Sequence, residues 1–352
     1  MANHLAQRVA GFGTSVFTEM SRLAVQHQAV NLGQGFPDFP GPDFVKEAAI
    51  QAIRADFNQY AVSHGTLRLR CAIAETWERV YGRGVDPETE VSIGSGATEL
   101  LLDAILALVN PGDEVILFEP FYDSYVPDIL MAGGSPRTIT LQPPDWHFDR
   151  QALADLFTPR TRLVLINTPH NPTGKMFNRE ELAFVASLCR ERDVLVVTDE
   201  VYEQIRFDGV EHVPIATLPG MWERTLTVNS TGKTFSMTGW KVGYAVGPPE
   251  LNRAVRATHQ FITFSTSTPF QEAMATALET AVRTGYYEKL RREYTARRDL
   301  LAETLASVGL RTLPVQGSYF LLTDLTGMGF QDDLSFCRYL TTEIGVAAIP
   351  PS

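Results

Sequence analysis

Residues 229–241 read NSTGKTFSMTGWK and follow a short run rich in β-branched residues, TLTVN at 225–229. They contain Lys233 and Lys241, two of the five lysines in the chain. A lysine in a partly buried α/β crevice loses its proton readily and can then form an imine with a carbonyl compound, which arginine cannot do. The alternative is that both lysines are ordinary solvated surface charges. The residues around this segment decide between the two.

Similar apolar runs recur on both sides of this segment and alternate with longer amphipathic stretches from about residue 91 onward. Such alternation is typical of βαβ units, whose parallel strands are buried on both faces. It predicts an α/β protein with a mostly parallel central sheet. The predicted strands are 91–93, 115–118, 163–167, 194–198, 225–229 and 242–246, and the predicted helices include 98–109 and 179–192.

The two ends of the chain depart from this pattern. Residues 31–42, NLGQGFPDFPGP, are interrupted by Gly and Pro and predict a structured loop. Near the other end, a long helical region at 272–306 precedes a predicted strand at 318–323 and a predicted helix at 336–343. These elements predict a smaller C-terminal α+β domain.

The composition is that of a folded globular protein. The 352 residues are 44% hydrophobic and 20% charged, and this length predicts two domains or one large α/β unit. The net charge of −11 argues against nucleic acid as a partner, because nonspecific binding requires clustered Lys and Arg. We also expect no membrane partner, since no apolar run is long enough to cross a bilayer and residues 1–8 lack the apolar core of a targeting peptide.

The three cysteines, Cys71, Cys189 and Cys337, lie far apart in the sequence. Zinc sites and disulfide frameworks require paired spacing, which these residues do not have. We therefore expect no metal site, and a reducing, cytosolic location.

A second glycine-containing segment, GSGATE at 94–99, follows the predicted strand at 91–93. It opens a predicted helix, so free backbone N–H groups and the positive end of the helix dipole face one point. This makes the segment a candidate phosphate site. Taken alone, however, the segment is better explained as a glycine turn with Ser95 or Thr98 as the helix cap.

Asp199 ends the predicted strand at 194–198, and Tyr202 lies three residues further on. In open parallel sheets, ligands bind at the carboxyl ends of the strands, so a carboxylate at this position can face a ligand. The alternatives are that Asp199 caps the following turn and that Tyr202 only packs.

Taken together, these segments resemble the class I and II aminotransferases, which depend on pyridoxal phosphate (PLP). The resemblance rests first on Ser230-x-x-Lys233 with a basic residue, Lys241, eight positions later. It extends to three further motifs in the family's order and spacing over nearly the whole chain: NLGQGFPD at 31–38, NTPHNPTG at 167–174 and DEVY at 199–202. Within the family, EPFYDSY at 119–125 and GVAAIP at 345–350 resemble the branch of methionine aminotransferases and kynurenine aminotransferases (glutamine transaminase K).

The resemblance implies the PLP-dependent transferase fold of type I. A large domain is then built on the mostly parallel sheet, and a smaller α+β domain is built from both chain ends. The expected division is 1–45 for the N-terminal arm and part of the small domain, 46–285 for the large PLP-binding domain, and 286–352 for the rest of the small domain.

The resemblance also implies the catalytic residues. Lys233 would carry PLP as a Schiff base and later move the proton between the substrate Cα and the cofactor. Asp199 would pair with the pyridine nitrogen and keep it protonated, so that the ring accepts electrons. Asn171 and Tyr202 would hydrogen-bond the phenolic oxygen, which lowers the pKa of the imine by stabilising its deprotonated form.

The remaining binding residues follow from the same resemblance. Tyr122 would stack on the pyridine ring, and Tyr60 would reach the phosphate site of a neighbouring subunit, which implies a homodimer with shared active sites. The phosphate would be held by Gly96, Ala97, Thr98, Ser230 and Lys241. The substrate would be bound by Gly35, Asn171, Phe17, Phe264 and Ser265, in an aromatic pocket suited to methionine, phenylalanine-like side chains and kynurenine.

Family members continue past residues 349–352 with a strand and a closing helix, and that strand supplies an arginine that clamps the substrate carboxylate. The resemblance therefore implies a shortened C-terminal part of the small domain. For a chain of this length we expect PLP binding with poor turnover.

The function implied is a transaminase that moves the amino group of methionine, aromatic amino acids or kynurenine to a 2-oxo acid by a ping-pong mechanism. One alternative is a PLP-dependent cysteine-conjugate or cystathionine β-lyase on the same fold, because both reactions share a carbanion at Cα. Another is a noncatalytic PLP-binding regulator, which the lack of a DNA-binding segment before residue 31 disfavours.

Overall fold

A computed structural model describes residues 4–13, 16–33 and 35–351, so that Gln34 of the NLGQGFPD motif and the terminal Ser352 lie outside the described residues. The strands are β1 (Val30–Asn31), β2 (Val91–Gly94), β3 (Glu114–Glu119), β4 (Ser135–Thr140), β5 (Thr161–Asn167), β6 (Leu195–Asp199), β7 (Thr225–Ser230), β8 (Gly243–Val246), β9 (Arg311–Thr312), β10 (Thr323–Asp324) and β11 (Val346–Ala347). The helices are α1 (Val16–His27), α2 (Asp43–Arg54), α3 (Leu67–Tyr81), α4 (Ala97–Leu108), α5 (Tyr125–Met131), α6 (Arg150–Leu156), α7 (Arg179–Glu191), α8 (Thr231–Thr234), α9 (Pro249–Ile262), α10 (Thr268–Thr284), α11 (Tyr286–Ser307) and α12 (Asp333–Tyr339).

The central sheet has seven strands in the order β2-β8-β7-β6-β5-β3-β4. Strand β8 runs antiparallel to both of its neighbours, and the other pairs are parallel. This confirms the predicted α/β class with a mostly parallel sheet. Strand β4 has no counterpart among the predicted strands, because its sequence SPRTIT pairs on one side only and is largely solvent-accessible.

The two faces of the sheet are covered by separate hydrophobic cores. Val115 and Leu117 of β3 belong to the core that includes α4, whereas Ile116 and Phe118 belong to the core that includes α7. Alternate residues of a strand point to opposite faces, so both sets must be apolar when both faces are covered. This is why the buried strands read as uninterrupted apolar runs.

Helix boundaries follow from local chemistry. Helix α7 begins after Asn178, whose side chain and that of Glu181 form a reciprocal capping box. The helical region predicted at 272–306 is two helices, and the correction has a simple cause: Gly285 adopts a left-handed conformation, with φ of 68°, between α10 and α11.

The two chain ends meet on one side of the sheet domain. Strand β1 pairs in parallel with β11, and Met20 of α1 shares a buried cluster with Phe336 and Cys337 of α12. The helix predicted at 336–343 is present as α12, continued by a π-helical turn over Leu340–Ile344.

The strand predicted at 318–323 is wrong. Only Thr323 and Asp324 form a strand, β10, which pairs antiparallel with β9. Ser318 has a left-handed φ of 63° and its backbone N–H donates to the carbonyl of Ile205, so the chain turns toward the centre of the molecule instead of extending. This turn brings the next residue, Tyr319, into the candidate site.

Candidate active site

The sheet register brings the separate motifs together. Gly243 of β8 lies opposite Gly94 of β2 on one side and Ser230 of β7 on the other, so the GSGATE and lysine segments leave the two strands that flank β8. Asn167 and Asp199 are likewise register partners at the carboxyl ends of β5 and β6. Ligands of open α/β sheets bind at this edge, and a cavity of about 410 Å³ lies there.

Most of the residues predicted from the sequence line this cavity: Phe17, Gly35, Gly96, Ala97, Thr98, Tyr122, Asn171, Asp199, Tyr202, Ser230, Lys233 and Lys241. The lining also contains five residues for which no role was predicted: Leu101, Asp123, Val201, Thr238 and Phe320. Asp123 and Thr238 lie inside quoted motifs, so their nearness to the cavity was implicit there. Phe320 follows the unpredicted turn at Ser318, and no sequence signal pointed to it.

One end of the cavity suits a phosphate group. Gly96, with φ of 85°, precedes the first turn of α4, whose N–H groups have no partners within the helix. Lys241 lies against Gly96, and its own φ of 53° places it in the left-handed region. A Cβ atom on Gly243 would come within 2.5 Å of the Gly96 carbonyl carbon, so glycine is required for this close approach.

Lys233 lies in the short helix α8, directly after β7. The Ser230 side chain caps this helix by accepting a hydrogen bond from the Gly232 N–H at 3.2 Å. The Lys233 amine donates to the Gly35 carbonyl at 2.5 Å and to the Tyr319 hydroxyl at 2.8 Å. Burial lowers the pKa of Lys233 to about 8, with Lys241 acting in the same direction and Asp199 opposing it. Near neutral pH a lysine of this kind therefore holds a larger unprotonated fraction than an exposed lysine does.

Asp199 is buried at the end of β6. Its Oδ2 accepts a hydrogen bond from the Tyr125 hydroxyl at 2.7 Å, and its Oδ1 accepts one from the Val201 N–H at 3.3 Å. Burial raises the pKa of Asp199 to about 6, and these two hydrogen bonds together with the charge of Lys233 limit the rise. Asp199 is therefore ionised at neutral pH, and its carboxylate is held in a fixed position.

Further residues contact Asp199 and Lys233 directly or through one another. The Asn171 N–H donates to Asn167 Oδ1 at 2.6 Å, and Asn167 Nδ2 donates to the Asp199 carbonyl at 2.8 Å. Tyr202 contacts Tyr319 edge to face, with ring centroids 5.1 Å apart. Tyr319 was missed by the sequence analysis because it lies in the segment predicted to be a strand.

Three predicted site residues do not line the cavity of their own chain. Tyr60 is 80% exposed and packs edge to face on Phe264, with centroids 5.2 Å apart. The Ser265 hydroxyl donates to the Ala61 carbonyl at 3.3 Å. Phe264 and Ser265 belong to a segment that is hydrogen-bonded to residues 59–61, and their role in substrate binding stays a prediction.

The charge pattern of the cavity indicates the type of ligand. Lys241 and the start of α4 contribute positive charge to the lining of the cavity, and the Asp199 carboxylate contributes negative charge. The Tyr122 ring forms part of the wall, and the Lys233 amine also faces the cavity. A flat molecule with a phosphate, a carbonyl carbon and a ring nitrogen that binds a proton fits this arrangement, as PLP does.

Known proteins share both sequence and structure with this chain. The family model for class I and II aminotransferases matches residues 27–352. A kynurenine–oxoglutarate transaminase of Dictyostelium discoideum is 44% identical, with 99% of this chain and 88% of that protein covered. A probable N-succinyldiaminopimelate aminotransferase of Mycobacterium tuberculosis is 46% identical, with 98% and 87% covered.

The solved structure of YbdL from Escherichia coli, reported with a methionine aminotransferase function, superposes with a TM-score of 0.95. It is 44% identical, with 99% of this chain and 91% of that chain covered.

Among residues 4–13, 16–33 and 35–351, no helix is long and apolar enough to cross a membrane.

Proposed function

Because the chain belongs to the class I and II aminotransferases, a family that uses PLP, we propose that it transfers the amino group of methionine or an aromatic amino acid, kynurenine included, to a 2-oxo acid. The observation that carries the proposal is the placement of Lys233 and Asp199 in one cavity with a phosphate-binding end. The lowered pKa of Lys233 favours an unprotonated amine, and Asp199 is ionised at neutral pH.

The proposed cofactor contacts use the geometry of the cavity. The phosphate is held by the N–H groups of Ala97 and Thr98 beside Gly96, by Ser230 and by Lys241. The ring would stack against Tyr122, which lines the cavity. Asp199 would pair with the ring nitrogen, and Asn171 and Tyr202 would hydrogen-bond the phenolic oxygen.

In the proposed reaction, Lys233, Asp199 and Tyr202 each have a separate role. When bound, PLP supplies a conjugated ring that takes up the electron pair left at the substrate Cα. The unprotonated Lys233 amine takes the Cα proton, which its lowered pKa permits near neutral pH. Asp199 keeps a proton on the ring nitrogen by remaining ionised itself, and Tyr202 holds the phenolic oxygen by hydrogen bonding.

The proposed substrate preference follows from the wall of the cavity. Phe17, Leu101 and Phe320 contribute apolar surface, which favours an uncharged thioether or aromatic side chain. Asp123 adds an acidic group to the lining. Substrates with further carboxylates, such as N-succinyldiaminopimelate, are disfavoured because Asp123 repels like charge.

We propose a homodimer in which Tyr60 completes the phosphate site of the other subunit. The dimer is supported by the exposure of large apolar side chains that a folded protein usually buries. These are Phe57, Tyr60, Val62 and Phe261, the last of which is 89% exposed. We also propose a reducing, cytosolic setting, which the three free cysteines favour.

The test is a single-turnover reaction of the PLP-loaded chain with methionine and no acceptor. We expect about one equivalent of the corresponding 2-oxo acid per subunit, and continued turnover only after a 2-oxo acid is added, as a ping-pong mechanism requires. Lys233→Ala is the control and should give no product. Release of pyruvate and ammonia from a cysteine conjugate faster than amino transfer would favour the β-lyase alternative.

A further inference from the structure

We propose that Tyr125 is a positioning residue of the reaction, whose hydroxyl holds the Asp199 carboxylate ionised and aimed at the cofactor ring. This inference rests on the proposed role of Asp199. It concerns a residue that does not line the cavity and acts through the carboxylate that does.

The geometry makes Tyr125 the closest side-chain partner of Asp199. Its hydroxyl lies 2.7 Å from Asp199 Oδ2, and both residues are at least 95% buried. Tyr125 is the first residue of α5, and its ring packs edge to face on Tyr122, with centroids 5.7 Å apart. One buried side chain therefore fixes the carboxylate and supports the aromatic wall of the cavity.

The carboxylate needs such a partner because its other surroundings do not favour a negative charge strongly enough. Burial raises the pKa of Asp199, and the neighbouring carboxylate of Glu200 raises it further. Three groups lower the pKa of Asp199 in turn: the Tyr125 hydroxyl, the Val201 N–H at 3.3 Å and the charge of Lys233. The titratable groups around Asp199 come from three elements. Tyr122 precedes α5 and Tyr125 begins it, Glu200 and Tyr202 follow Asp199 in the chain, and Lys233 belongs to α8.

Lys233 cannot substitute for Tyr125. Its amine already donates hydrogen bonds to Gly35 and Tyr319, and it loses its charge in the proposed reaction. Tyr125 is different, since its pKa is raised well above 10 by burial and by Asp199, so its hydroxyl keeps its proton at every working pH. It is a permanent donor to the Asp199 carboxylate.

The experiment compares Tyr125→Phe with Tyr294→Phe in the full chain. Tyr294 is also buried, and its hydroxyl has no hydrogen-bond partner among the described residues, so the control removes a buried hydroxyl without removing a hydrogen bond. Phenylalanine keeps the ring and its packing in both variants, and thermal unfolding checks that both are folded.

The first measurement is the titration of the Asp199 carboxyl in the apoprotein, by ¹³C NMR of carboxyl-labelled aspartate with Asp199→Asn to assign the signal. Tyr125→Phe should raise the apparent pKa of Asp199 by about one unit, because a hydrogen bond to the charged form is lost. The second measurement is the pH profile of kcat, whose acidic limb should move in the same direction. Tyr294→Phe should change neither.

An unchanged Asp199 titration and an unchanged acidic limb in Tyr125→Phe would overturn the inference. Failure of the proposed function looks different, since the PLP-loaded wild-type chain would then form no 2-oxo acid from methionine, while the Asp199 titration in the apoprotein would still differ between Tyr125→Phe and Tyr294→Phe. Shifts of equal size in Tyr125→Phe and Tyr294→Phe would also overturn the inference, because the effect would then be general to buried hydroxyl groups.

Discussion

The ε-amino group of Lys233 lies 2.5 Å from the carbonyl oxygen of Gly35, although the two residues are 198 positions apart in the sequence. Gly35 belongs to the Gly- and Pro-rich loop that leads from β1 to α2. The N-terminal segment therefore closes one side of the cavity and supplies a polar partner to a largely buried amine. Without such partners, burial of a charged lysine would be more costly.

The first prediction concerns the titration of this amine. Capture of PLP by the apoprotein requires the unprotonated form of Lys233, so its rate should rise with pH to a midpoint near 8 instead of near 10.5. Lys241→Gln should move the midpoint to higher pH, because Lys241 contributes to lowering the pKa of Lys233. Stopped-flow absorbance at saturating PLP from pH 6 to pH 10 measures both. A midpoint near that of an exposed lysine would contradict the prediction.

The second prediction tests the close approach at the phosphate site. In Gly243→Ala the added methyl group would lie about 2.5 Å from the backbone of Gly96 and Ala97, so these segments must separate. We expect a loss of about 1–3 kcal/mol in stability, as for other overpacked sites, and weaker PLP binding.

The matched control is Gly239→Ala, because a Cβ atom at Gly239 meets nothing within 4 Å. Fluorescence titration with PLP and thermal unfolding are the measurements. Equal PLP affinity in the two variants would show that the approach of Gly243 to Gly96 is not required for binding.

The third prediction concerns Asp103 in α4, behind the phosphate site. It is fully buried, and neither carboxylate oxygen has a hydrogen-bond partner in the part of the chain that the structure describes. His259 Nδ1 lies 3.7 Å away. Burial and the neighbouring Glu99 raise the pKa of Asp103 to about 7, with His259 opposing them.

The folded state therefore binds a proton that the unfolded chain releases near pH 4, and the wild-type protein loses stability as pH rises from about 4 to about 7. Asp103→Asn should remove this contribution and raise Tm by about 2–4 °C at pH 8, with a smaller gain or none at pH 5. Calorimetry at both pH values measures the effect. The same difference in Tm at pH 5 and pH 8 would contradict the raised pKa.

The fourth prediction tests the shared active site. Lys233→Ala and Tyr60→Ala should each be impaired alone at limiting PLP. A mixed dimer should contain one site with both residues intact, because the two come from different subunits. Random exchange should then restore about a quarter of wild-type activity. Absence of any recovery after subunit exchange, verified by mass spectrometry of the dimers, would contradict the role proposed for Tyr60.

The sequence was sufficient to predict the strands that are buried on both faces of the sheet. Strands such as β5 and β6 are covered on both faces, so their apolar runs were recognisable, and Asp199 could be placed at the end of its strand. Strand β4 lies at the edge of the sheet and pairs on one side only, so it carries no apolar run. The difference lies in solvent exposure, which single-sequence patterns reflect only indirectly.

The sequence was insufficient where function depends on contacts between distant segments. Tyr125 touches Asp199 across 74 positions, and Tyr319 touches Lys233 across 86. Neither contact leaves a local pattern, and the turn at Ser318 that delivers Tyr319 was predicted to be a strand. Phe264 and Ser265 were placed in the pocket by resemblance; they contact residues 59–61 and are not among the lining residues of the cavity of their own chain, so their role stays a prediction.

The central claim is that Lys233, and not Lys241, carries the cofactor. Borohydride reduction of the PLP-loaded chain fixes the cofactor to whichever amine has formed the imine, and mass spectrometry of the digested protein identifies that residue. The account predicts one modified lysine, at position 233, because its amine is largely buried beside Asp199 and has a lowered pKa. Modification at Lys241, or no modification of the chain at a saturating concentration of PLP, would contradict it.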